Sequence, residues 1–321
     1  MPVPPPPAPY DAPFPVFIIG SLVLACSAEV ARCPEPGESL RATGFIMEAG
    51  GKGFNVALAA HRLGVPVDGL FAAGDDLPGQ FIRQAFAAQG LDPDLIHSVA
   101  AATGAGVGLI QEDGENRIAV YPGANAALSA EHVSARADGL RGAGLVFAQF
   151  EAPDAPIAAA FALARQAGVT TMLNPSPYRS ISPDILAATD IIIVNEREAA
   201  ALAEDQFWTG PYDELAASLA GAGVTTLIVT RGARGAQAWQ HHHMIDEAGL
   251  AAPVADSMGA GDAFTGGLIA ALSRHMDLSN ALRWGCAAGA IAVSKLGVAT
   301  ALPDIGELMR ALDGQLTRRN F

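Results

Sequence analysis

The sequence predicts an α/β fold with a mostly parallel sheet covered by helices on both faces, and three observations point to it. Short β-rich apolar runs alternate with Ala-rich segments of helical period, the order that parallel strand pairing requires. The runs Ile191–Val194 and Leu227–Val229 are apolar throughout, as expected of strands buried on both sides. Two other stretches, Ser27–Ala49 and Thr103–Tyr121, break the rhythm by alternating apolar and polar residues.

Taken in order, the Pro-rich residues 1–15 read as a disordered or extended tail preceding a single domain over 16–321. Val16–Cys26 is an apolar run too short to span a bilayer. It ends in a Val-Leu-Ala-Cys that resembles a lipoprotein cleavage site, but no Lys or Arg precedes Arg32, so the positive segment of a signal peptide is missing. A buried first strand is the expectation. The alternating stretches, the second with a hairpin-like turn at 112–116, are expected to form a small antiparallel sheet with strands from about 27–49 and 103–121. That sheet is either a lid over a cleft or an edge extension of the core sheet. Beyond it, strand Leu145–Phe150 precedes helix Ala155–Ala167, and Thr170–Asn174 precedes Ser182–Ala188. Ile191–Asn195 precedes Glu196–Ala203, and helix Tyr212–Ala222 precedes Thr226–Thr230. There is no internal repeat.

The 321 residues are half hydrophobic and only 16% charged, enough for a sizeable core. A formal charge of −14 argues against a non-specific nucleic-acid or anionic-membrane binder. It leaves nucleotide ligands open, because helix N-termini hold phosphates without net positive charge. Three cysteines without CxxC spacing read as reduced thiols in a cytoplasmic protein.

Three segments carry chemistry. Asp256-Ser-Met-Gly-Ala-Gly-Asp262 leads into a run of helical period, so Gly259, Ala260, Gly261 and Asp262 should form a helix's first turn. N–H groups converge there and the dipole favours an anion. Glycines let a phosphate approach the backbone, and Asp262 sets a carboxylate where it can accept a hydroxyl proton during phosphoryl transfer. The plain alternative is an Asp that complements the helix dipole. In Gly50-Gly51-Lys52-Gly53-Phe54-Asn55, opening the helix Val56–Leu63, glycines allow close approach while Lys52 and Asn55 offer donors; a tight turn is the alternative. Asn195 and Glu198 follow the strand Ile191–Asn195 at its carboxyl end, where open α/β sheets bind ligands. Glu198 could orient water on Mg²⁺, or simply begin a solvated helix. Neither a Walker loop nor a GxGxxG is present. His241–His243 are consecutive and lack companion ligands at metal spacing, so they read as no metal site.

Gly-Gly-Lys-Gly-x-Asn at Gly50–Asn55 together with Gly-Ala-Gly-Asp at Gly259–Asp262 resembles the ribokinase-like (PfkB) sugar kinases. The likeness extends from about Val16 to Pro303 and includes Gly123-Ala-Asn-Ala-Ala-Leu128, Ala148-Gln-Phe-Glu151 and Leu173-Asn-Pro. It implies a three-layer α/β/α sandwich with a small β lid that often makes a dimer contact. It further implies ATP-dependent phosphorylation of a sugar or sugar-like hydroxyl, with Mg²⁺ and K⁺ as ions and a homodimer as assembly. By position, Asp262 matches the catalytic base, and the backbone of Gly259, Ala260 and Gly261 matches the anion hole. Gly51, Lys52, Asn55 and Glu151 match sugar contacts. Asn195, Thr230, Gly232 and Gly235 match nucleotide contacts, and Glu198 the magnesium site. Asp256 with carbonyls near Ala292 and Gly297 resembles a monovalent-cation site.

Two departures stand out. After the first strand the family commonly carries Asn-x-Asp, whose carboxylate grips sugar hydroxyls; this chain has Val23-Leu-Ala25, with Glu29 four residues on. Ala301 replaces a cation-loop serine. The leading expectation is therefore a sugar kinase with altered substrate recognition. A nucleoside or modified-sugar kinase, and a non-catalytic sugar- or nucleotide-binding regulator, are the alternatives.

Overall fold

The computed structural model describes residues 12–111, 116–206, 208–240 and 243–314. Among them, thirteen strands are numbered in chain order: β1 (Val16–Ile19), β2 (Val23–Val30), β3 (Gly44–Gly50), β4 (Val67–Gly74), β5 (Ile96–Val99), β6 (Gly104–Gln111), β7 (Asn116–Tyr121), β8 (Leu145–Gln149), β9 (Thr170–Asn174), β10 (Ile191–Asn195), β11 (Thr226–Thr230), β12 (Ala236–Gln240) and β13 (His243–Glu247). Nine form the main sheet in the order β13-β12-β11-β10-β9-β8-β1-β4-β5. Pairing is parallel from β5 through β11, and β12 and β13 add antiparallel at one edge.

Side chains alternate across this sheet with the period of two that a pleated strand imposes. Val16, Ile18, Phe147, Met172, Ile193 and Ile228 face one layer of helices. These are α1 (Lys52–Arg62), α2 (Leu77–Ala88), α9 (Ala260–Leu272), α10 (Leu278–Val293) and α11 (Ile305–Leu312). Phe17, Ile19, Val146 and Leu173 face the opposite layer of α3 (Ala130–Ala135), α4 (Ala137–Gly142), α5 (Asp154–Ala167) and α6 (Pro183–Ala187). On that same side Ile192, Val194, Leu227 and Val229 pack against α7 (Glu196–Asp205) and α8 (Tyr212–Gly221). The result is the α/β/α sandwich. Among the described residues no helix is long and apolar enough to cross a membrane.

The apolar run from Val16 to Cys26 does not form one strand. β1 ends at Ile19 and β2 begins at Val23, in different sheets. Gly20 lies so close to the Phe71 ring that a Cβ would come within 2.1 Å of it, and the Ser21 carbonyl accepts from the N–H of Phe54 at 3.2 Å. Helix packing and capping therefore turn the chain where the hydropathy is continuous. A second sheet, β3-β2-β6-β7, results. It is mixed rather than wholly antiparallel, since β2 pairs with β6 in parallel. Residues 112–115 of the expected turn, residues 1–11 of the tail, and His241 and His242 lie outside the described residues. Phe14 and Pro15 are docked: the Phe14 N–H donates to the Ser273 carbonyl at 2.9 Å, and Gly144 donates to the Pro15 carbonyl at 2.9 Å.

Helix α1 starts one turn earlier than its apolar period, with Gly51 as its N-cap at φ 112°. Gly53 presses on the chain just past β1, where a Cβ would sit 2.3 Å from the Gly20 Cα. Overpacking of this kind costs roughly 1–3 kcal/mol. Gly53→Ala should therefore lower the melting temperature by several degrees. Thermal denaturation checks this, and an unchanged midpoint would show that the backbone can give way.

Candidate active site

The strand order reverses between β1 and β8, with β4 beyond β1 on one side and β9 beyond β8 on the other. Loops leaving such a pair diverge and open a crevice at the carboxyl ends of the strands. Ser21, two residues past β1, and Glu151, two past β8, meet across it: Ser21 Oγ donates to Glu151 Oε2 at 2.5 Å. The same oxygen accepts from the Lys52 backbone N–H at 2.9 Å, tying the start of α1 to both strand ends. Ser21 Oγ also accepts from the Gly53 N–H at 3.2 Å.

Asp262 enters this crevice as the third residue of α9 and is only 7% exposed. Asn55 Nδ2 donates to its Oδ2 at 2.8 Å, and Gln149 Nε2 lies 3.5 Å from its Oδ1. Burial pushes the carboxyl above the ordinary aspartate range. The Lys52 ammonium and the Asn55 amide pull it back, whereas the charge of Glu151 adds to the rise. Among the described residues, Asn55 Oδ1 and Gln149 Oε1 are buried without a hydrogen-bond partner on side chains that meet Asp262. An orphaned buried acceptor is costly, so these two oxygens suit the donors of a hydroxylated ligand.

Gly259, the N-cap of α9, adopts φ 73°, and a Cβ there would meet Val298 Cγ1 at 2.5 Å. The N–H of Ala263 is the first to close a helical bond, to the Gly259 carbonyl at 2.8 Å. Those of Gly261 and Asp262 have no acceptor among the described residues. A Cβ on Gly261 would meet nothing within 4 Å, so the side-chain position in this turn is open. Beside them, Asp256 Oδ1 accepts from the Met258 N–H at 2.9 Å, and the Asp256 N–H donates to the Val293 carbonyl at 3.2 Å. This stitches the Asp256 loop to the end of α10, which carries Ala292. The segment with Gly297 (φ 80°) returns to Gly259 through Val298.

A second group lines the same edge of the sheet. Asn195 caps α7, its Oδ1 accepting from the Glu198 N–H at 2.9 Å while Glu198 Oε2 accepts from the Asn195 N–H at 3.0 Å. Thr230 is the register partner of Asn195 on the neighbouring strand. Gly232 (φ 56°) and Gly235 (φ 88°) shape the turn that follows, closed by the Arg231 N–H to the Gly235 carbonyl at 2.7 Å. The structure thus gathers Gly51, Lys52, Asn55, Glu151 and Asp262 into one cluster, and Asn195, Glu198, Thr230, Gly232 and Gly235 into another.

Reading the sequence missed Ser21, Gln149 and Asn125. The last exchanges two hydrogen bonds of 2.8 Å with the backbone of Leu22 and fixes the passage from β1 to β2. Gln149 and Asn125 lie inside motifs already quoted, so the signal for them was present; a lone Ser after Gly20 carried none. A cavity of about 220 Å³ between the small sheet and the crevice is lined by Val23, Val120, Pro122, Asn125, Phe150 and Glu151, among others. A larger concavity of about 420 Å³ against α3–α5 holds the mutually paired Asp138 and Arg141 and none of the groups above. Burial pushes the Cys286 thiol up to about 12, which disfavours the reactive thiolate.

Residues 15–305 match the family described as pfkB family carbohydrate kinase. The chain belongs to that family. It is 31% identical over 302 residues to the ribokinase of Haemophilus influenzae, covering 92% of this chain and 97% of that one. It is 27% identical over 296 residues to a deoxyribokinase of Salmonella typhimurium, covering 90% and 96%. Among solved structures, Arabidopsis thaliana ribokinase complexed with ribose and ATP superposes with a TM-score of 0.86 at 28% identity, over 94% of this chain and 99% of that one.

The raised pKa of Asp262 in this kinase has a consequence for stability. The native carboxyl holds its proton more tightly than an unfolded aspartate does, so between the two pKa values the unfolded chain binds fewer protons and stability falls as pH rises. Asp262→Asn removes that penalty. The variant should melt above wild type at pH 8. The gap should close as the pH falls to the unfolded aspartate value of about 4. Melting curves across pH check the sign, and a wild type that is more stable at pH 8 would contradict it.

Proposed function

We propose that this carbohydrate kinase transfers the γ-phosphoryl group of ATP to a hydroxyl of a sugar or sugar-like acceptor, with Asp262 as general base. The observation that carries the reading is a buried carboxylate of raised pKa in the first turn of a helix whose leading N–H groups, those of Gly261 and Asp262, have no acceptor among the described residues. Asp262 takes the hydroxyl proton, the freed oxygen attacks the γ-phosphorus, and ADP leaves. The N–H groups of the Gly259–Asp262 turn receive the charge developing on the phosphoryl oxygens. Gly51, Lys52, Asn55 and Glu151 position the acceptor, with the orphaned oxygens of Asn55 and Gln149 taking hydroxyl donors. Asn195, Thr230, Gly232 and Gly235 hold the nucleotide.

Glu198 fits a role toward Mg²⁺ through water, since the Asn195 N–H engages one of its oxygens and the other remains. When bound, Mg²⁺ would supply positive charge against the nucleotide's phosphates. The convergence of the Asp256, Ala292 and Gly297 segments on Gly259 fits a monovalent cation, K⁺, supporting the anion hole. A homodimer through the lid belongs to the same reading. It is supported by Phe45, Met47, Val107 and Tyr121, apolar side chains about half or more exposed on one face of the small sheet. Cytoplasmic residence is supported by three free cysteines.

A second acceptor class, a nucleoside or a modified sugar lacking the usual hydroxyl pair, is favoured by Val23 in the cavity wall and Ala25 two residues on. Glu29 does not stand in for a carboxylate at Ala25. It pairs with Gly44 and Ile110 toward the far end of β2, about 13 Å along the strand. D-ribose should be a poor acceptor, and Ala25→Asp should improve kcat/KM for it by about tenfold or more through a charge-assisted hydrogen bond. Efficient wild-type use of ribose with no gain in the variant would refute this.

The decisive experiment is Asp262→Asn, which keeps size and hydrogen bonding but removes the proton acceptor. kcat should fall by about 10²- to 10⁴-fold, with ATP affinity little changed. Turnover within a few-fold of wild type would remove Asp262 from the chemistry. Loss of ATP binding together with turnover would make it a helix-start residue instead. A regulator without catalysis would show ligand-induced thermal shifts and no ADP release.

A further inference from the structure

One carboxylate facing the cleft has no part in the site described so far. Glu48 on β3 is the register partner of Ala25, which pairs in turn with Gly106, and Gly106 with Val120. These four residues form one row across the small sheet. Side chains two residues apart share a face, so this row lies on the face of Val23, and Val23 and Val120 line the cavity. A Cβ on Gly50 would meet the Ala25 Cβ at 3.4 Å and Val23 Cγ2 at 3.7 Å, in keeping with the shared face. Leu24 and Ala49 take the opposite face and pack into the core.

The row is small where it meets the cleft. A Cβ on Gly106 would meet nothing within 4 Å, and Ala25 offers only a methyl. Glu48 is half-buried, and its carboxylate makes no hydrogen bond among the described residues. Burial and the nearby charge of Asp256 both push its carboxyl above the ordinary range. A partly desolvated carboxylate without donors, beside a second carboxylate, is unfavourable in the free protein. Such a group suits a ligand that brings donors.

We propose that Glu48 is the specificity-determining carboxylate of this kinase, accepting hydrogen bonds from a vicinal hydroxyl pair of the acceptor whose adjoining substituent occupies the space over Ala25 and Gly106. The inference rests on the kinase reading above. A cation shared by Glu48 and Asp256 is the competing use of the same geometry.

The test uses the full-length enzyme with ATP, Mg²⁺ and K⁺, offering D-ribose, 2-deoxy-D-ribose, inosine and 2′-deoxyinosine, with ADP release and melting temperature as readouts. For the better of the two diols, Glu48→Gln should raise KM by about tenfold or more while kcat stays within about threefold, as expected when binding common to ground and transition states is lost. The 2-deoxy counterpart should change KM by less than about twofold, because the hydroxyl pair is already absent. Ala25→Asp added to Glu48→Gln should recover part of the loss. A KM unchanged for the diol, or raised equally for diol and deoxy compound, overturns the inference. So does a higher K⁺ requirement at constant acceptor KM, which would assign Glu48 to the cation. A Glu48→Gln chain that fails to fold overturns it too, since a carboxylate without partners contributes no contact to the fold. A wild type that transfers phosphoryl to none of the four, yet is stabilised by them, refutes the kinase reading and takes this inference with it.

Discussion

The site depends on how closely helix α1 is held between β1 and α9. On one side Gly53 lies against Gly20, and on the other Gly266 lies against α1, where a Cβ would come within 2.3 Å of the Ala59 Cβ. Small residues at both contacts let backbones approach to distances that larger side chains would forbid. This grip sets the N-terminus of α1 at the end of β1 and aims Asn55 at Asp262 two hundred residues away in sequence. It also brings the Lys52 N–H to Glu151. A methyl group at either contact would move the helix by a substantial fraction of a hydrogen-bond length, and catalytic geometry tolerates little of that.

Within that frame the electrostatics are arranged against the fold's own stability. A buried carboxylate without a full complement of donors is unfavourable, and Asp262 has one close donor, a second at the edge of bonding distance, and Glu151 opposing it. Lys52 offsets part of the cost from the same helix that carries Asn55. The orphaned oxygens of Asn55 and Gln149 point the same way. Groups left unsatisfied in the free protein are preorganised for a ligand that supplies hydroxyl donors, so binding recovers what folding gave up.

How much of this the sequence discloses varies with the kind of interaction. Strands such as Ile191–Asn195 and Thr226–Thr230 are legible because burial on both faces leaves an unbroken apolar run, and their ends match the structure. Asp262 and the Gly259 turn are legible because glycine spacing and helical period are both local. The break at Gly20–Ser21 is not, since hydropathy runs on through Val23 while the cause, the Phe71 ring and the capping of α1, lies 32 or more residues away. Ser21 and the Glu48–Ala25 partnership fail for a related reason: register between distant strands decides which side chains share a face, and no local period records it. The β2–β6 pair was hidden likewise, because alternation shows that a strand is half-buried and says nothing of its partner's direction.

The two carboxylates at this site differ in how freely they could move during evolution. As the proposed base, Asp262 is bound to its position, because the proton it would take must leave the same oxygen that attacks a phosphorus held at its own helix turn. The proposed base and anion hole are one structural unit, the four residues Gly259–Asp262. A carboxylate that only grips hydroxyls has no such tie. Any strand of the small sheet that presents an acid on the cleft face can supply it, and neighbouring strands lie about 4.8 Å apart, within the reach of one longer side chain. An acid at Glu48 on β3, beside Ala25 on β2, sets the charge one strand over, apart from α1, α9 and the main sheet. The constraint on catalysis and the latitude in recognition thus follow from one proposed architecture, in which the small sheet meets the acceptor at the switch-point crevice while the α9 turn meets the phosphate.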